Sequence, residues 1–106
     1  MEDFLQVWWR GAKIGKFEIT AVDMWYLDGN WHPDASPEAK LFETLVSTFN
    51  FTEIRNSPEK GTRIILRSAE SSPGTNALVI AMQGDLLMIR QIFDEKAVQW
   101  LTKNVH

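Results

Sequence analysis

Short runs of alternating apolar and polar residues, broken by turn residues, make up most of the chain, and a three-and-four spacing appears in only two stretches, 37–49 and 95–104. Strict alternation marks half-buried strands, whereas the longer period marks amphipathic helices. The first run, Phe4 to Ile19, predicts a hairpin around Gly11-Ala12-Lys13. A three-residue loop there sets Val7 against Phe17, Leu5 against Ile19 and Trp9 against Gly15, so that the apolar side chains share one face. A two-residue loop would set Val7 against Lys16, which the same pattern disfavours. The other face carries Gln6, Trp8, Arg10, Lys16, Glu18 and Thr20. Trp8 is the one large ring among them.

A second hairpin is expected from Val22 to His32, with Asp28-Gly29 as a type I′ turn that sets Trp31 opposite Tyr26 and His32 opposite Trp25. Pro33 ends that strand. Ser36 then reads as an N-cap, Pro37 as the first helical residue and Glu38 as an acid near the positive dipole end. The helix Pro37 to Phe49 presents Leu41, Phe42, Leu45, Val46 and Phe49 as one stripe, and Asn50 suits a left-handed cap.

Beyond it the pattern predicts a short strand at Phe51 to Arg55, a loop at 56–61, a strand from Thr62 to Ser68 and a turn at 71–74. Asn76 to Met82 and Leu86 to Phe93 form a hairpin on Gly84-Asp85, a type II′ sequence. Leu78 to Met82 is continuously apolar, the mark of a strand covered on both faces. Asp94 would cap a last helix, Glu95 to Asn104. The order ββββ-α-ββββ-α predicts a single α+β domain over residues 1–106, mostly antiparallel sheet with helices on one face.

Composition narrows the function. The chain has 106 residues, 44% hydrophobic and 24% charged, as expected of one globular core. It contains no cysteine, which excludes disulfides, thiolate metal sites and cysteine nucleophiles and makes a reducing cytoplasm the expected compartment. The start, Met1-Glu2-Asp3-Phe4, lacks the basic region of a secretory signal, and no apolar run approaches membrane-spanning length, so neither export nor a membrane partner is expected. Four of the five tryptophans fall within the first 31 positions. Net charge is −3, yet Glu18, Asp23, Asp28, Asp34, Glu38 and Glu43 are opposed in their segment only by Lys40.

Catalytic and cofactor motifs are missing. Histidine occurs only at His32 and His106, and there is no Gly-x-Ser-x-Gly elbow, dinucleotide fingerprint or phosphate loop. Asp28, Asn30, His32 and Asp34 alternate like metal ligands, but the twelfth position counted from Asp28 is Ala39 where a calcium loop needs Glu. No catalytic residue, metal or cofactor is therefore expected. Carboxylate-only hydrolysis around Asp28 stays open if two of Asp23, Asp28, Asp34 and Glu38 line a concave pocket.

The reading that uses both anomalies is a non-enzymatic protein–protein interaction module. Trp8, Trp25, Tyr26, Asp28, Trp31 and Asp34 would form its aromatic and acidic surface, aimed at a partner with a basic one. The alternative is a single-stranded nucleic-acid-binding protein using Arg10, Lys13, Lys16, Arg63 and Arg67 beside Trp8 and Trp9. Assembly with further copies is compatible with either. In composition alone the chain is similar to small bacterial or phage inhibitor, immunity and adaptor proteins. The exposure of Trp8, Trp25 and Trp31 separates these readings.

Overall fold

A computed structural model describes residues 4–57, 60–69, 71 and 73–92; the helix expected at 95–104 and its Asp94 cap lie outside them. Three strands come first, β1 (Phe4–Trp9), β2 (Ala12–Asp23) and β3 (Tyr26–Pro33), followed by helices α1 (Pro37–Val46) and α2 (Phe51–Asn56) and strands β4 (Thr62–Arg67), β5 (Thr75–Gln83) and β6 (Leu86–Gln91). The six strands close into an antiparallel barrel in the order β1-β2-β3-β6-β5-β4. The expected α+β layering is thus wrong: the sheet curls on itself, and the helices serve a barrel.

Closure comes from pairings that local pattern cannot reveal. β1 joins β4 through Gln6–Arg67, Val7–Leu66 and Trp8–Ile65, and β3 joins β6 from Tyr26–Arg90 to Asn30–Leu86. Bending comes from skipped residues in the registers, Ile14 and Thr20 in β2 and Ile80 in β5. Such bulges raise local twist and let a sheet turn a corner.

Turn and bulge act together in the first hairpin. Its loop is Arg10-Gly11, both in the left-handed region with φ of 51° and 82°, so the turn has two residues and pairs Trp9 with Ala12. Unbroken, that register would set Leu5 against Lys16. The bulge at Ile14 shifts it so that Val7 meets Gly15 and Leu5 meets Phe17. The expected sharing of one apolar face survives, but through a bulge rather than a three-residue loop.

The second hairpin turns earlier than expected. β2 runs on to Asp23 and the loop is Met24-Trp25, leaving Asp28 and Gly29 in the middle of β3. Gly29 is required by packing, not by a turn. A Cβ there would overlap the Glu18 carbonyl oxygen and come within 2.8 Å of the Phe17 ring. Gly15 is the counterpart, since a Cβ there would lie 2.7 Å from Cη2 of Trp31. Trp31, not Trp9, is therefore the ring that covers Gly15, and its strand neighbour is Phe17 rather than Tyr26.

α1 begins as its sequence dictates, with Ser36 Oγ accepting from the Ala39 N–H at 3.2 Å and Pro37 in the first turn. It stops at Val46, because Asn50 does not end this helix but opens the next: its side chain accepts from Glu53 N–H at 3.0 Å. The strand expected at 51–55 is consequently helix α2. Ala39, Phe42 and Val46 of α1 enter the barrel core, whereas Leu41 is 61% exposed. Phe42 sits between two tryptophans, 5.6 Å from Trp9 and 5.4 Å from Trp31 by ring centroids. The helix thereby plugs the barrel end at which β1 and β3 terminate. α2 packs outside, over β5, where Leu78 to Ala81 of the expected Leu78–Met82 run are buried on both faces together with Ala77, and Met82 is only half-buried. The Gly84-Asp85 loop also forms as expected, with Gly84 at φ 60°.

Phe42→Ala should lower unfolding free energy by about 3–5 kcal/mol in urea titrations, while Leu41→Ala one residue away should stay within about 0.5 kcal/mol. Equal costs would show that α1 does not plug the barrel.

Candidate functional site

The six residues expected to form one aromatic and acidic surface separate. Trp31 belongs to the core and donates its Nε1–H to Glu43 Oε1 at 3.2 Å. Asp34, the residue after β3, is engaged too: Oδ2 accepts from Lys13 Nζ at 3.2 Å, and its N–H reaches the Ile14 carbonyl at 2.8 Å. Both have structural tasks. Trp8 is half-buried on the outer wall of β1, where its indole N–H donates to Gln6. It pairs with Lys13 near the start of β2, whereas Trp25 follows the end of β2. The two rings thus mark opposite ends of one long strand.

Around Trp25 the structure gathers residues that sequence reasoning missed. Val22, Met24 and Trp25, exposed by 64%, 74% and 40%, make three of the four exposed large hydrophobics among the described residues. They crowd the tip of the β2–β3 hairpin, which Asp23 and Tyr26 close by pairing and Trp25 ties to β6 by accepting from Gln91 N–H at 2.7 Å. Met24 has φ of 56°. Glycine is the usual occupant of such a loop position, and another residue there costs about 1–2 kcal/mol. Placing the turn at Asp28-Gly29 hid this feature, since it left Met24 inside a strand.

Beside the tip lies a pocket of about 200 Å³, roofed by Phe51 and Arg55 of α2 and lined by Tyr26, Ile80 and Met88 with the carboxylates Asp23 and Asp28. Arg55 lies 5.8 Å above the Phe51 ring. Ile80 is buried and Asp23 exposed, so the floor is apolar, and at the rim two carboxylates face one guanidinium, that of Arg55, which leaves the balance negative. An alkyl stem ending in a cation suits such a shape, because its methylenes leave water while its head stays hydrated beside the acids.

Two of the acids do share a pocket, which is what carboxylate hydrolysis requires. Water, however, has open access to Asp23, and among the described residues the lining contains no histidine, serine or threonine. Among the described residues no three of His, Asp and Glu are placed to hold a metal; His32 instead faces Glu18 at 3.7 Å.

The cations occupy another wall. Across the outer face, strand pairing aligns Arg67, Gln6, Lys16 and His32 in one row and Asn76, Ile65, Trp8 and Lys13 in the next. Arg63 stands two residues along β4, and Arg10 lies at the β1–β2 loop. All five cations expected at a nucleic-acid interface therefore belong to the β4-β1-β2 wall or its edge. Four cationic and aromatic residues, Trp8, Arg10, Arg63 and Arg67, line a groove of about 290 Å³. In barrel order, the groove's strands β1 and β4 are opposite β6 and β3, which line the first pocket together with the end of β2, β5 and α2.

No helix of the described residues is long and apolar enough to cross a membrane. No family model matches the sequence, and neither a curated protein nor a solved structure matches it.

Burial separates the tryptophans by experiment. Trp31→Ala should cost about 3–5 kcal/mol in thermal or urea unfolding, whereas Trp25→Ala at the hairpin tip should cost under about 1 kcal/mol. Comparable losses would show that the Trp25 ring is structural.

Proposed function

We propose that the protein is a non-enzymatic interaction module that docks another protein on the β2–β3 hairpin tip, with a basic side chain of that partner entering the Asp23–Asp28 pocket. The observation that carries this reading is Met24. A large apolar side chain is held in a left-handed loop position, three-quarters exposed, where glycine or asparagine would serve folding better. Stability does not explain the choice; a partner that buries Met24, Val22 and Trp25 does. Methionine and tryptophan are enriched in interface cores, and Trp25 is the natural anchor. Asp23 and Asp28 add charge that favours a basic partner and disfavours an acidic one.

Of the surface expected from sequence, Trp25, Tyr26 and Asp28 remain in this proposal, Val22, Asp23 and Met24 join it, and Trp8, Trp31 and Asp34 leave it. The role fits a small inhibitor or adaptor, which acts by occupying a partner's surface. The cysteine-free sequence supports a cytoplasmic setting.

Immobilised peptide libraries test this directly. Lysine- and arginine-containing peptides with one apolar neighbour should be retained and charge-matched acidic ones should not. Trp25→Ala should weaken retained peptides by about 30-fold, the effect of a hot spot worth about 2 kcal/mol. Met24→Gly should abolish much of the binding with unfolding free energy unchanged or raised by up to about 1 kcal/mol. Undiminished binding in both folded variants, or preference for acidic peptides, would refute the assignment.

A further inference from the structure

The β1–β2 loop repeats the anomaly of the hairpin tip. Arg10 and Met24 are the two non-glycine residues with positive φ among those described, at 51° and 56°. A type I′ turn of the Arg10-Gly11 kind normally takes asparagine or aspartate first, which adopt that conformation at least cost. Here the position holds an exposed arginine whose guanidinium lies 4.2 Å from the Trp9 ring centroid. The loop thus presents a fixed cation at the mouth of the groove formed with Trp8, Arg63 and Arg67.

The groove has consistent chemistry. Among the described residues three guanidiniums line it and no carboxylate does, in a chain whose net charge is −3. Arg67 lies 5.0 Å over the Trp8 ring, and Arg63 donates from Nε and Nη2 to Asn76 Oδ1 at 3.0 and 2.7 Å. These contacts orient planar groups that suit phosphate oxygens and flat rings. The neighbouring Gln6 and Asn76 use their amide oxygens to accept from Trp8 and Arg63, which leaves their amide N–H groups to donate to base edges. From Arg67 the outer row continues through Gln6 to Lys16, extending positive charge beyond the groove. It stops at the β3 side, where Asp34 pairs with Lys13 and Glu18 faces His32.

We propose that this groove is a second binding site, independent of the hairpin tip, and that it takes single-stranded nucleic acid, with a phosphate between Arg10 and Arg63 and a base against Trp8. A strand fits better than an acidic peptide because the wall combines cations with a ring and amides, whereas carboxylates need only the cations. It fits better than a duplex because the cationic wall is only three strands wide and bounded by acids.

The test is fluorescence anisotropy of a fluorescein-labelled oligothymidylate at low salt, with polyglutamate as the competing polyanion. Oligothymidylate should bind, polyglutamate should compete poorly, and affinity should fall with salt. Arg10→Glu, on an exposed loop, should weaken binding by about tenfold and flatten the slope of log affinity against log salt by about 0.7 for each phosphate that is no longer neutralised. Trp8→Ala should weaken it by about tenfold by removing the stacking platform. Trp25→Ala at the hairpin tip should leave it unchanged. Absent binding, equal competition by polyglutamate, or unchanged affinity in Arg10→Glu with its unfolding midpoint preserved would each overturn the site.

Discussion

The wedge of Phe42 between Trp9 and Trp31 is the interaction on which the rest of the barrel depends. Six strands closing on themselves leave an open end, and water entering there would reach Val7, Phe17, Ile64 and Leu87. A short helix entering through Phe42 seals it. Each tryptophan brings a polar handle that must be satisfied, and each is: Trp9 Nε1 donates to the buried Thr62 hydroxyl at 2.9 Å and Trp31 Nε1 to Glu43. The two indoles thereby join β1 to β4, where the barrel closes, and β3 to the plug itself. Much of the tryptophan enrichment near the start of the chain has this structural origin.

The same packing explains how the sheet can curl so tightly. Phe17 and Trp31 are cross-strand partners, and their rings lie over Gly29 and Gly15 of each other's strands. A ring on bare backbone fills volume that two side chains would otherwise crowd, and a glycine at that point lets the strand bend. The bulges at Ile14 and Thr20 fall close to these glycines and adjust the register so that inward residues stay inward. Glycine in this chain therefore marks close approach at residues 15 and 29 and turning at residues 11 and 84.

That distinction accounts for what could be read from the sequence. Faces were legible: Leu5, Val7, Trp9, Phe17, Leu87 and Ile89 point inward as alternation requires. So were the Ser36-Pro37 helix start and the Gly84-Asp85 hairpin, where local chemistry decides. The Asp28-Gly29 turn was misread because Asp-Gly has the same local preference whether or not a neighbouring ring needs the space. The α+β architecture was misread because closure rests on β1–β4 and β3–β6 pairs, which leave no mark in local periodicity. For the candidate sites, the cationic wall was legible as a set of residues, since strand alternation brings them to one face. The hairpin tip was not, because its informative residue, Met24, stood outside the turn that sequence preference selected.

Net charge says little about either surface. At physiological ionic strength fields decay over about 8 Å, whereas the molecule extends 31 × 28 × 26 Å. The Asp23–Asp28 rim lies at one end of β2 on the β3–β6 wall; the arginine groove lies on the opposite wall beside the loop at the other end. Each is screened from the other, so an incoming group responds to the local sign. β2 is the element that sets this separation, because it runs as one strand from the Arg10-Gly11 loop to the Met24-Trp25 loop. Two strained, exposed loops at the two ends of one strand, one cationic and one apolar beside acids, give a small barrel two surfaces of different chemistry. A single core sealed by Phe42 holds both in place.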